Sequence, residues 1–585
     1  MEFGGLALND AIVDPDDKFY TEFLRDYYVK TADGQYLFAT MQNARRPDRV
    51  FYMVPEGYRL GKKQNRFEQG IGKRIYDLAF EYLQRDIKTI ALRGIQGEGR
   101  FETGLDYVVS IEIPHSAYLA WMGKQMVFPH RDGVEPKVFN YCIPEGLPED
   151  VKKRIREFYP EYAEPIILFD LTRMKDDIRR VLIIGSDYFG EAFKKPNLTM
   201  VWNRAEESGY ISYHAGCTDK RILKGLSGTG KTTLSVGEEI EQDDAVAGIP
   251  VGKERVERVE LYGLEAASFA KSEGLTEKSP EWKGLMKSRD GAVVLAMNID
   301  CENVDFAFRE VNGHKIRVPV AKGEPGHLMC TSYEKSGTKN GRFVFQFSEL
   351  NRNWGKRKKE LKAEGLTFRR FDIMEPLIIA ATPEMAVALD SACESVITSA
   401  VAGKKEGTRT RSYAATDFMA REESQQALLK LKVYGDLGVG PQGRLVFFVV
   451  NTGSVGAQDV EGKETGKGEK IRIEDSKRLI YLAENRLIKH WLVNPLFGYM
   501  VPDPKELEEE HGMKDFGKRF NPLRYYSMDE IVRIAERDVK ERTEYLRALF
   551  KGETGEEGLD SVISVWPSKR ASMDEVKRFY EVNYG

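Results

Sequence analysis

The chain has 585 residues, more than one hydrophobic core usually serves, so we expect two or more domains. Hydrophobic residues make up 41% of it and charged residues 31%, a globular composition that argues against a disordered chain. The 88 basic and 92 acidic residues leave a net charge of −4. The basic excess typical of nucleic-acid-binding proteins is therefore absent, and no nucleic-acid partner is expected.

The cysteines and the hydropathy pattern indicate the compartment. The five cysteines are scattered and form no Cys-x-x-Cys pair, which argues against a disulfide framework or a structural zinc site. The first residues carry no basic segment followed by an apolar one, and no run of about 18 uncharged apolar residues occurs. We expect a soluble cytoplasmic protein with no membrane partner. No heptad seam predicts an oligomer, so the oligomeric state stays open, with a monomer as the simplest case.

Helical and strand-like patterns alternate along the first part of the chain. Residues 72–86 (GKRIYDLAFEYLQRD) carry apolar side chains at helical spacing, and the apolar runs 107–113, 165–171 and 181–185 are typical of buried strands. This alternation predicts an amino-terminal, substrate-side domain of mixed α/β structure over residues 1–205.

The same alternation continues to the carboxyl end. The apolar runs 293–299, 376–382 and 444–453 predict strands, and a Ser-x-x-Glu capping pattern at Ser527 predicts the start of a long helix. The second domain is therefore predicted to span residues 206–585, and the fold class is α/β in two lobes.

Two charged stretches are predicted to lie at the surface. Residues 456–473 are rich in glycine and charge and indicate a solvated loop that ends in a strand. The basic run at residues 355–362 (GKRKKELK) indicates the solvated face of a helix rather than a nucleic-acid patch.

A phosphate-binding loop begins at Gly225. The stretch GLSGTGKTTLS fits the pattern Gly-x-x-x-x-Gly-Lys-Ser/Thr, in which glycines let backbone N–H groups approach phosphates. Lys231 adds a positive charge, the Thr232 hydroxyl can ligate Mg²⁺, and the extra Gly228 makes a chance match rarer. The sequence therefore predicts a bound nucleotide with its Mg²⁺.

Charged side chains on both sides of this loop indicate a second cation. Asp243 and Asp244 are adjacent carboxylates, which are costly to hold together without a cation beside them. Upstream, Lys194 and Lys195 follow a glycine-bearing turn, and His214 ends a strand-like run. Each feature alone has ordinary explanations, a surface lysine pair or a core histidine, but their occurrence around a phosphate loop favours a metal site.

The order of these motifs resembles the ATP-dependent phosphoenolpyruvate carboxykinases. That family has Tyr-Gly-Gly-Glu-Met-Lys-Lys, Met-His-Cys-Ser, the loop Gly-Leu-Ser-Gly-Thr-Gly-Lys-Thr-Thr-Leu-Ser, Gly-Asp-Asp and Phe-Glu-Gly-Gly-Cys-Tyr-Ala-Lys. The matching segments here are YFGEAFKK, YHAGC, GLSGTGKTTLS, QDDAV and LEAASFAK. GTP-using relatives carry a cysteine in the loop, whereas this chain has Ser227 and Thr229, which favours the ATP type. The resemblance implies a two-lobed carboxykinase-like fold whose carboxyl-terminal domain contains the phosphate loop and binds a mononucleotide.

The resemblance also implies site residues. Lys195, His214 and Asp244 would bind a catalytic Mn²⁺, with Lys195 as a neutral amine ligand. The other catalytic residues would be Lys231, Asp243, Arg317 and, by a loose match that would bind the substrate carboxylate, Arg100. ATP and its Mg²⁺ would be held by Leu226, Ser227, Gly228, Thr229, Gly230, Lys231, Thr232, Thr233, Glu281, Arg317, Lys470, Ile471 and Ser476. Lys271 resembles a substrate-side lysine.

The chain departs from the family pattern in the half of the site that would hold the acceptor. The family's tyrosine falls on Phe189, with Tyr188 one place earlier, so a hydroxyl is missing or displaced. The run before the phosphate loop, KRILKG, is more polar than the family's strand. Over residues 402–420 only the glycines of the family's lid remain.

Three functions are compatible with this pattern. The leading one is ATP-dependent decarboxylation and phosphorylation of oxaloacetate to phosphoenolpyruvate, CO₂ and ADP. The second is a kinase of the same fold that phosphorylates another small acid or hydroxyl compound. The third is a non-catalytic, ATP-sensing regulator.

Overall fold

The structure is a computed structural model that describes the whole chain except residues 9, 86, 227, 236–238, 397–408, 552–555 and 568–570, and except the side chains of 232, 396, 556 and 557. Its α-helices are α1 Asp17–Phe23, α2 Gln69–Leu83, α3 Ala117–Met126, α4 Glu149–Arg156, α5 Lys195–Glu207, α6 Lys231–Ser235, α7 Pro280–Leu285, α8 Pro383–Ser391, α9 Glu423–Leu437, α10 Ile473–Glu484, α11 Pro504–Glu509, α12 Phe516–Phe520, α13 Met528–Phe550, α14 Asp560–Ile563 and α15 Met573–Tyr584.

The strands form several sheets. In spatial order, the nine-stranded sheet contains β10 Phe128–Pro129, β8 Thr89–Gln96, β9 Thr103–Ser110, β11 Pro136–Ile143, β13 Arg179–Ile184, β12 Ile166–Asp170, β6 Val50–Met53 and β7 Asn65–Arg66, with β3 Ala11–Val13 beside β8. The seven-stranded sheet contains β15 Ala215–Cys217, β16 Arg221–Gly225, β24 Ala363–Phe368, β28 Val446–Asn451, β25 Leu377–Ile379, β32 Met500–Pro502 and β31 Trp491–Val493. The five-stranded sheet contains β19 Ala267–Lys271, β23 Arg342–Gln346, β20 Leu295–Met297, β5 Tyr36–Phe38 and β4 Val29–Lys30, and the three-stranded sheet contains β14 Ile211–Tyr213, β17 Val246–Val251 and β18 Arg258–Gly263. Four strand pairs complete the list: β1 Glu2–Phe3 with β2 Leu6–Ala7, β21 Val304–Val311 with β22 His314–Ala321, β26 Cys393–Val396 with β27 Arg409–Ser412, and β29 Ser454–Val455 with β30 Glu469–Lys470.

The nine-stranded sheet is covered on both faces. Along β13, Val181 and Ile183 belong to one apolar cluster and Leu182 and Ile184 to another, because successive side chains of a strand point to opposite faces. Helices α3 and α5 supply one cluster, and α2 and α4 supply the other. This arrangement buries α5 and places Lys195, its first residue, at the edge of the core.

The seven-stranded sheet carries the phosphate loop. Strand β16 runs parallel to β24, and β24 runs parallel to β28, so these three strands end at the same edge. The loop follows β16 directly and leads into α6. The carboxyl ends of parallel strands are where α/β folds form their ligand sites, and the phosphate loop lies at this edge.

One sheet joins the two halves of the chain. Residues Tyr36–Phe38 of β5 pair with Leu295–Met297 of β20 in parallel register. Strands from both sides of position 205 therefore share a sheet, and the division into 1–205 and 206–585 stays a prediction.

Most predicted elements are present. Helix α2, the strands β12, β13, β20, β25 and β28, and helix α13 occur where apolar periodicity placed them. Ser527 caps α13 through the predicted capping box with Glu530. The mixed α/β class is confirmed, and the loop at 456–473 ends in β30.

The basic run at 355–362 was wrongly predicted to be helical. It forms turns and irregular backbone. Lys359 is 6% exposed and lies 2.8 Å from Glu98, so it serves as a buried ion-pair partner rather than as a surface charge. A local charge pattern cannot reveal a partner that is distant in sequence.

All five cysteines are free and buried. In the described part of the chain, none of the helices has both the length and the apolar composition needed to cross a bilayer.

A buried carboxyl at the end of α5 predicts a pH-dependent stability. Burial raises the pKa of Glu206 from 4.5 to about 8. Because the folded state then holds the proton more tightly than the unfolded chain, the free energy of unfolding falls as pH rises from 4.5 through about 8. Glu206→Gln, which cannot ionise, should remove roughly 2–4 kcal/mol of this fall, measured by chemical denaturation on both sides of the window. Glu207→Gln, at a side chain that is 30% exposed, is the control. If the free energy of unfolding of Glu206→Gln falls with pH as steeply as that of wild type, the raised pKa is wrongly assigned to Glu206.

Candidate functional site

The phosphate loop has a conformation that requires its glycines. A side chain at Gly225 would collide with the hydroxyls of Thr367 and Thr229. Gly228 and Gly230 have φ angles of +80° and +85°, which L-residues rarely adopt. Ser227 and the side chain of Thr232 lie outside the described residues, so their predicted contacts with ATP and Mg²⁺ stay predictions.

Hydrogen bonds from neighbouring side chains hold the loop in shape. The Thr229 hydroxyl donates to the Leu226 carbonyl at 2.7 Å, and the Thr452 hydroxyl donates to the Thr229 carbonyl at 2.7 Å. Arg369 donates to the Gly228 carbonyl at 3.1 Å. The Thr229 N–H donates to the Leu226 carbonyl at 3.2 Å, whereas the N–H groups of Gly228 and Gly230 have no backbone partner among the described residues and can donate to phosphate oxygens.

Four side chains that can carry positive charge meet at one carboxylate. Asp244 Oδ2 lies 2.5 Å from Lys194 Nζ and 2.8 Å from Lys195 Nζ. Its Oδ1 lies 2.6 Å from His214 Nε2 and 3.3 Å from Lys231 Nζ. Burial alone would raise the pKa of Asp244, but these groups outweigh it and hold that pKa well below its ordinary value. Asp244 is therefore ionised and joins the phosphate-loop lysine to the predicted metal ligands.

Two of the three lysines of this cluster, Lys194 and Lys195, differ in how readily they lose a proton. Burial lowers the pKa of Lys195 to about 7, and Lys194 and Arg45 add to the shift while Asp244 opposes it. Burial also disfavours the charged form of Lys194, but Asp244 and Glu265 outweigh it and raise its pKa. Lys195 is thus the amine that becomes neutral more readily, as a metal ligand must be.

The remaining donors fit a divalent cation. His214 Nδ1 lies 3.2 Å from the Ala414 carbonyl, which directs Nε2 toward Asp244. Asp243 Oδ1 and both carboxylate oxygens of Glu265 are buried and accept no hydrogen bond from the described residues, although Lys194 lies 3.2 Å from Glu265. An amine, an imidazole and carboxylates with unused lone pairs form a donor set for a metal such as Mn²⁺.

The segment 470–476, which contains three of the residues predicted to hold ATP, lies beside the loop. Ile471 donates its N–H to the Gly453 carbonyl at 3.0 Å and packs in one apolar cluster with Leu234 of the phosphate-loop helix. Ser476 is buried on α10, whereas Lys470 is exposed. The tertiary structure therefore brings residues 470–476 to the loop.

Three further residues that the resemblance implied are Glu281, Arg317 and Thr233. Burial raises the pKa of Glu281, and the charge of Asp243 adds to the shift. Arg317 donates to the carbonyls of Lys335 and Ser336 at 2.8 and 2.9 Å. Thr233 is exposed.

Arg100 and Lys271 are occupied elsewhere. The Arg100 side chain is 64% exposed and lies 3.9 Å from Glu260, and Lys271 pairs with Glu273. Among the described residues, Arg100, Lys271 and Arg317 make no contact with Asp244. Their roles in catalysis and substrate binding stay predictions.

Two residues near Lys195 were not found from the sequence. Lys195 Nζ lies 4.0 Å from the ring centre of Phe418, and the Arg45 guanidinium lies 4.9 Å from the same ring. The Phe418 ring also packs edge-on against His214 at 5.1 Å. Arg45 belongs to an arginine pair in a loop, a pattern too common to single out, and Phe418 lies in the stretch that departs from the family lid. Residues 402–408 of that stretch lie outside the described residues.

The central segment of the chain is similar to a known protein family. The sequence profile of the ATP-type phosphoenolpyruvate carboxykinase family matches residues 129–313, which include α5, the phosphate loop and Asp244. Over these residues the chain is similar to that family.

Relatives named phosphoenolpyruvate carboxykinase (ATP) show how far the similarity extends. The protein of Caldanaerobacter subterraneus is 27% identical over 254 residues, 41% of this chain and 42% of that one. That of Dictyostelium discoideum is 32% identical over 112 residues, 18% of each chain, and that of Bradyrhizobium diazoefficiens is 29% identical over 140 residues, 22% of this chain and 24% of that one. The matched region thus spans less than half of each of these carboxykinases.

A π-helical turn changes the alignment with the carboxykinase motif. In the family stretch Tyr-Gly-Gly-Glu-Met-Lys-Lys one residue separates the glutamate from the first lysine, whereas two separate Glu191 from Lys194. Residues Gly190–Lys194 form a π-helix, which accommodates one extra residue within a helix. This register favours Tyr188 as the counterpart of the family tyrosine. Phe189 is fully buried and stacks on Phe193.

Proposed function

We propose that the chain is an ATP-dependent carboxykinase that converts oxaloacetate to phosphoenolpyruvate, CO₂ and ADP, with Mg²⁺ and Mn²⁺ as cofactors. The observation that carries this proposal is the convergence of Lys195, His214 and Lys231 on Asp244 beside the phosphate loop. A phosphate loop alone would support any nucleotide-dependent function. Joined to a donor set for a second metal, it supports phosphoryl transfer to a metal-bound acid.

The residues of the cluster have separable tasks. The loop N–H groups and Lys231 would bind the ATP phosphates, and Lys195, His214 and Asp244 would hold Mn²⁺. A metal at this position would supply the positive charge that stabilises an enolate formed by loss of CO₂. Arg45, beside Lys195, is the arginine best placed to bind the acid's carboxylate, because guanidinium and carboxylate form paired hydrogen bonds.

The packing around the cluster would keep water away from the reaction. Phe418 covers His214 and Lys195, and its position depends on the segment that also gives the Ala414 carbonyl to His214. Excluding water strengthens the electrostatic interactions of a site and protects the phosphoryl group from hydrolysis. Asp243 is oriented by the Ser268 hydroxyl at 3.0 Å.

A kinase that acts on another small acid is the second candidate. It is supported by the position of Arg100, which lies against Glu260 rather than with Lys195. This candidate would bind its acceptor through residues other than Arg100. Both candidates share the same nucleotide and metal residues.

Replacement of Lys231 tests the proposed function. Lys231→Ala should lower the formation of phosphoenolpyruvate from oxaloacetate and ATP by about 10²–10³-fold, because the phosphoryl group loses a preorganised positive charge. The assay requires Mg²⁺ and Mn²⁺ and is run in both directions. Lys18→Ala, at a side chain that is 79% exposed, is the matched control. If wild type binds ATP but forms no phosphoenolpyruvate, the carboxykinase proposal is wrong, and metal-dependent ATP turnover stimulated by another acid would favour the second candidate.

A further inference from the structure

A cavity of about 560 Å³ opens at one end of the nine-stranded sheet. Arg93 of β8 and Asp106 of β9, which lie opposite each other in the antiparallel pair, line it together with Pro136 of β11. Cavities of roughly 300–1,000 Å³ are the size that holds a small-molecule ligand. The residues that line this cavity do not belong to the Asp244 cluster, so the cavity shares no side chain with the proposed metal site.

Acidic side chains predominate in the cavity wall. Four of them have no ion pair and no hydrogen-bond donor among the described residues, namely Glu2, Asp106, Asp132 and Glu135. The basic groups of the wall are engaged, since Arg93 pairs with Asp14 at 2.8 Å and the Met1 ammonium donates to the Leu8 carbonyl at 2.9 Å. His130 is the remaining titratable side chain of the wall. The cavity therefore has an excess of negative charge.

Asp106 is the recessed member of this acidic group. It is 7% exposed and shares a face of β9 with Val108, because side chains two positions apart on a strand point the same way. Burial raises its pKa to about 7; the charge of Arg93 opposes this shift, and Asp14 and Glu135 add to it. A buried carboxyl without a hydrogen-bond partner is stabilised by a cation that reaches it from the cavity.

The four acids are too far apart for three of them to chelate one metal ion. A divalent metal draws oxygen ligands to about 2.0–2.6 Å, which brings those oxygens close to one another. Among the described residues, three side chains whose ligand atoms lie within 4.8 Å of one another occur only at Glu506, Glu510 and His511. The acids of the cavity therefore fit positive charges that are spaced along one molecule rather than a single ion.

We propose that this cavity binds an extended organic cation, a linear alkyl polyamine with an ammonium group at each end. One ammonium donates to the recessed Asp106 carboxylate, and the other lies at the rim, where Asp132 and Glu135 are exposed. Val134 and Pro136, which are half-buried in the wall, offer surface to the methylene groups between them. This binding site is separate from the proposed function and does not depend on it.

Calorimetry with the full chain, without nucleotide, tests the proposal with spermidine as the probe. At about pH 8, above the pKa of Asp106, its carboxylate is ionised. Spermidine should bind at a single site, about tenfold or more tightly than propylamine, which carries one ammonium group. An equal concentration of Mg²⁺ should not displace it. Equal affinities for the two amines, or displacement by Mg²⁺, would overturn the proposal.

Two substitutions locate the binding. Asp106→Asn keeps the size of the side chain and removes its charge, which should weaken spermidine by about tenfold or more. Glu135→Gln does the same at an exposed position, where folding is not at risk, and should weaken spermidine by about threefold. Asp26→Asn, at a side chain that is 75% exposed and outside the cavity, is the matched control. Wild-type affinity in Glu135→Gln, or in a folded Asp106→Asn, would show that the site is wrongly assigned.

Two further measurements identify the kind of occupant. Spermidine should raise the unfolding temperature of wild type, because a ligand that binds only the folded state stabilises it, and Asp106→Asn should lose this shift. A capped peptide of three lysines carries its ammonium groups on a bulky backbone and should bind more weakly than spermidine, because Asp106 is recessed. Tighter binding of the peptide would refute the polyamine and indicate a basic segment of a partner protein.

Discussion

Replacing Asp244 by asparagine is expected to abolish Mn²⁺ binding and to lower turnover with ATP by about 10³-fold or more. The amide keeps the size of the side chain but removes the charge on which Lys194, Lys195 and His214 converge. Without that charge the cluster becomes a group of buried cations, which disfavours both a divalent metal and protonated Lys195. The measurements are Mn²⁺ titration followed by paramagnetic resonance and the formation of phosphoenolpyruvate.

A matched substitution separates this effect from a general loss of fold. Asp219→Asn removes a carboxylate that is 32% exposed and lies 3.5 Å from Arg357. It should retain wild-type metal binding, and thermal unfolding should show that both variants are folded. Full Mn²⁺ affinity in Asp244→Asn would contradict the assigned metal site.

Replacing Asp538 by alanine is expected to lower the free energy of unfolding by about 3–5 kcal/mol. Asp538 lies on α13, is 2% exposed and accepts from four arginines. Arg370, Arg409, Arg411 and Arg542 lie 3.1, 2.9, 2.7 and 3.1 Å from its carboxylate. Breaking a buried network by removing one partner leaves the others uncompensated, which costs far more than losing a surface ion pair.

This prediction is checked by chemical denaturation with a control on the same helix. Glu544→Ala removes a carboxylate that is 59% exposed and should leave stability close to wild type. Arg409 and Arg411 lie on β27, shortly before Ala414 and Phe418, so Asp538→Ala should also weaken metal binding at His214. An unfolding free energy equal to that of Glu544→Ala would show that the network contributes little.

The polar strand before the phosphate loop shows why sequence patterns mislead in buried regions. Lys224 interrupts a strand that is apolar in the carboxykinase family. The sequence of this strand therefore departs from the family pattern. In the fold, Lys224 is 2% exposed and pairs with Glu364 and Asp390, while Lys430 lies 2.5 Å from Asp390 and 2.7 Å from the Tyr413 hydroxyl. A lysine in a core strand is compatible with folding when its charge is paired, and its two carboxylate partners lie on β24 and α8.

The sequence by itself determined the features that depend on neighbours along the chain. The phosphate loop is contiguous, and its glycines are required by local backbone geometry. Strands β12, β13 and β28 and helix α13 follow from apolar periodicity and capping, which are also local. Lys195, His214 and Asp244 were predicted to lie together because each of them falls in a motif that resembles one of the carboxykinase family.

Only the tertiary structure decided what surrounds this cluster. The carbonyl that orients His214 belongs to Ala414, 200 residues away in sequence, and Arg45, from the amino-terminal part of the chain, lies over the same Phe418 ring as Lys195. The π-helix at Gly190–Lys194, which favours Tyr188 over Phe189, is a change of hydrogen-bond register that residue types do not encode. Contacts of this kind depend on how separate elements pack, because burial and charge pairing are properties of the whole fold rather than of a local stretch.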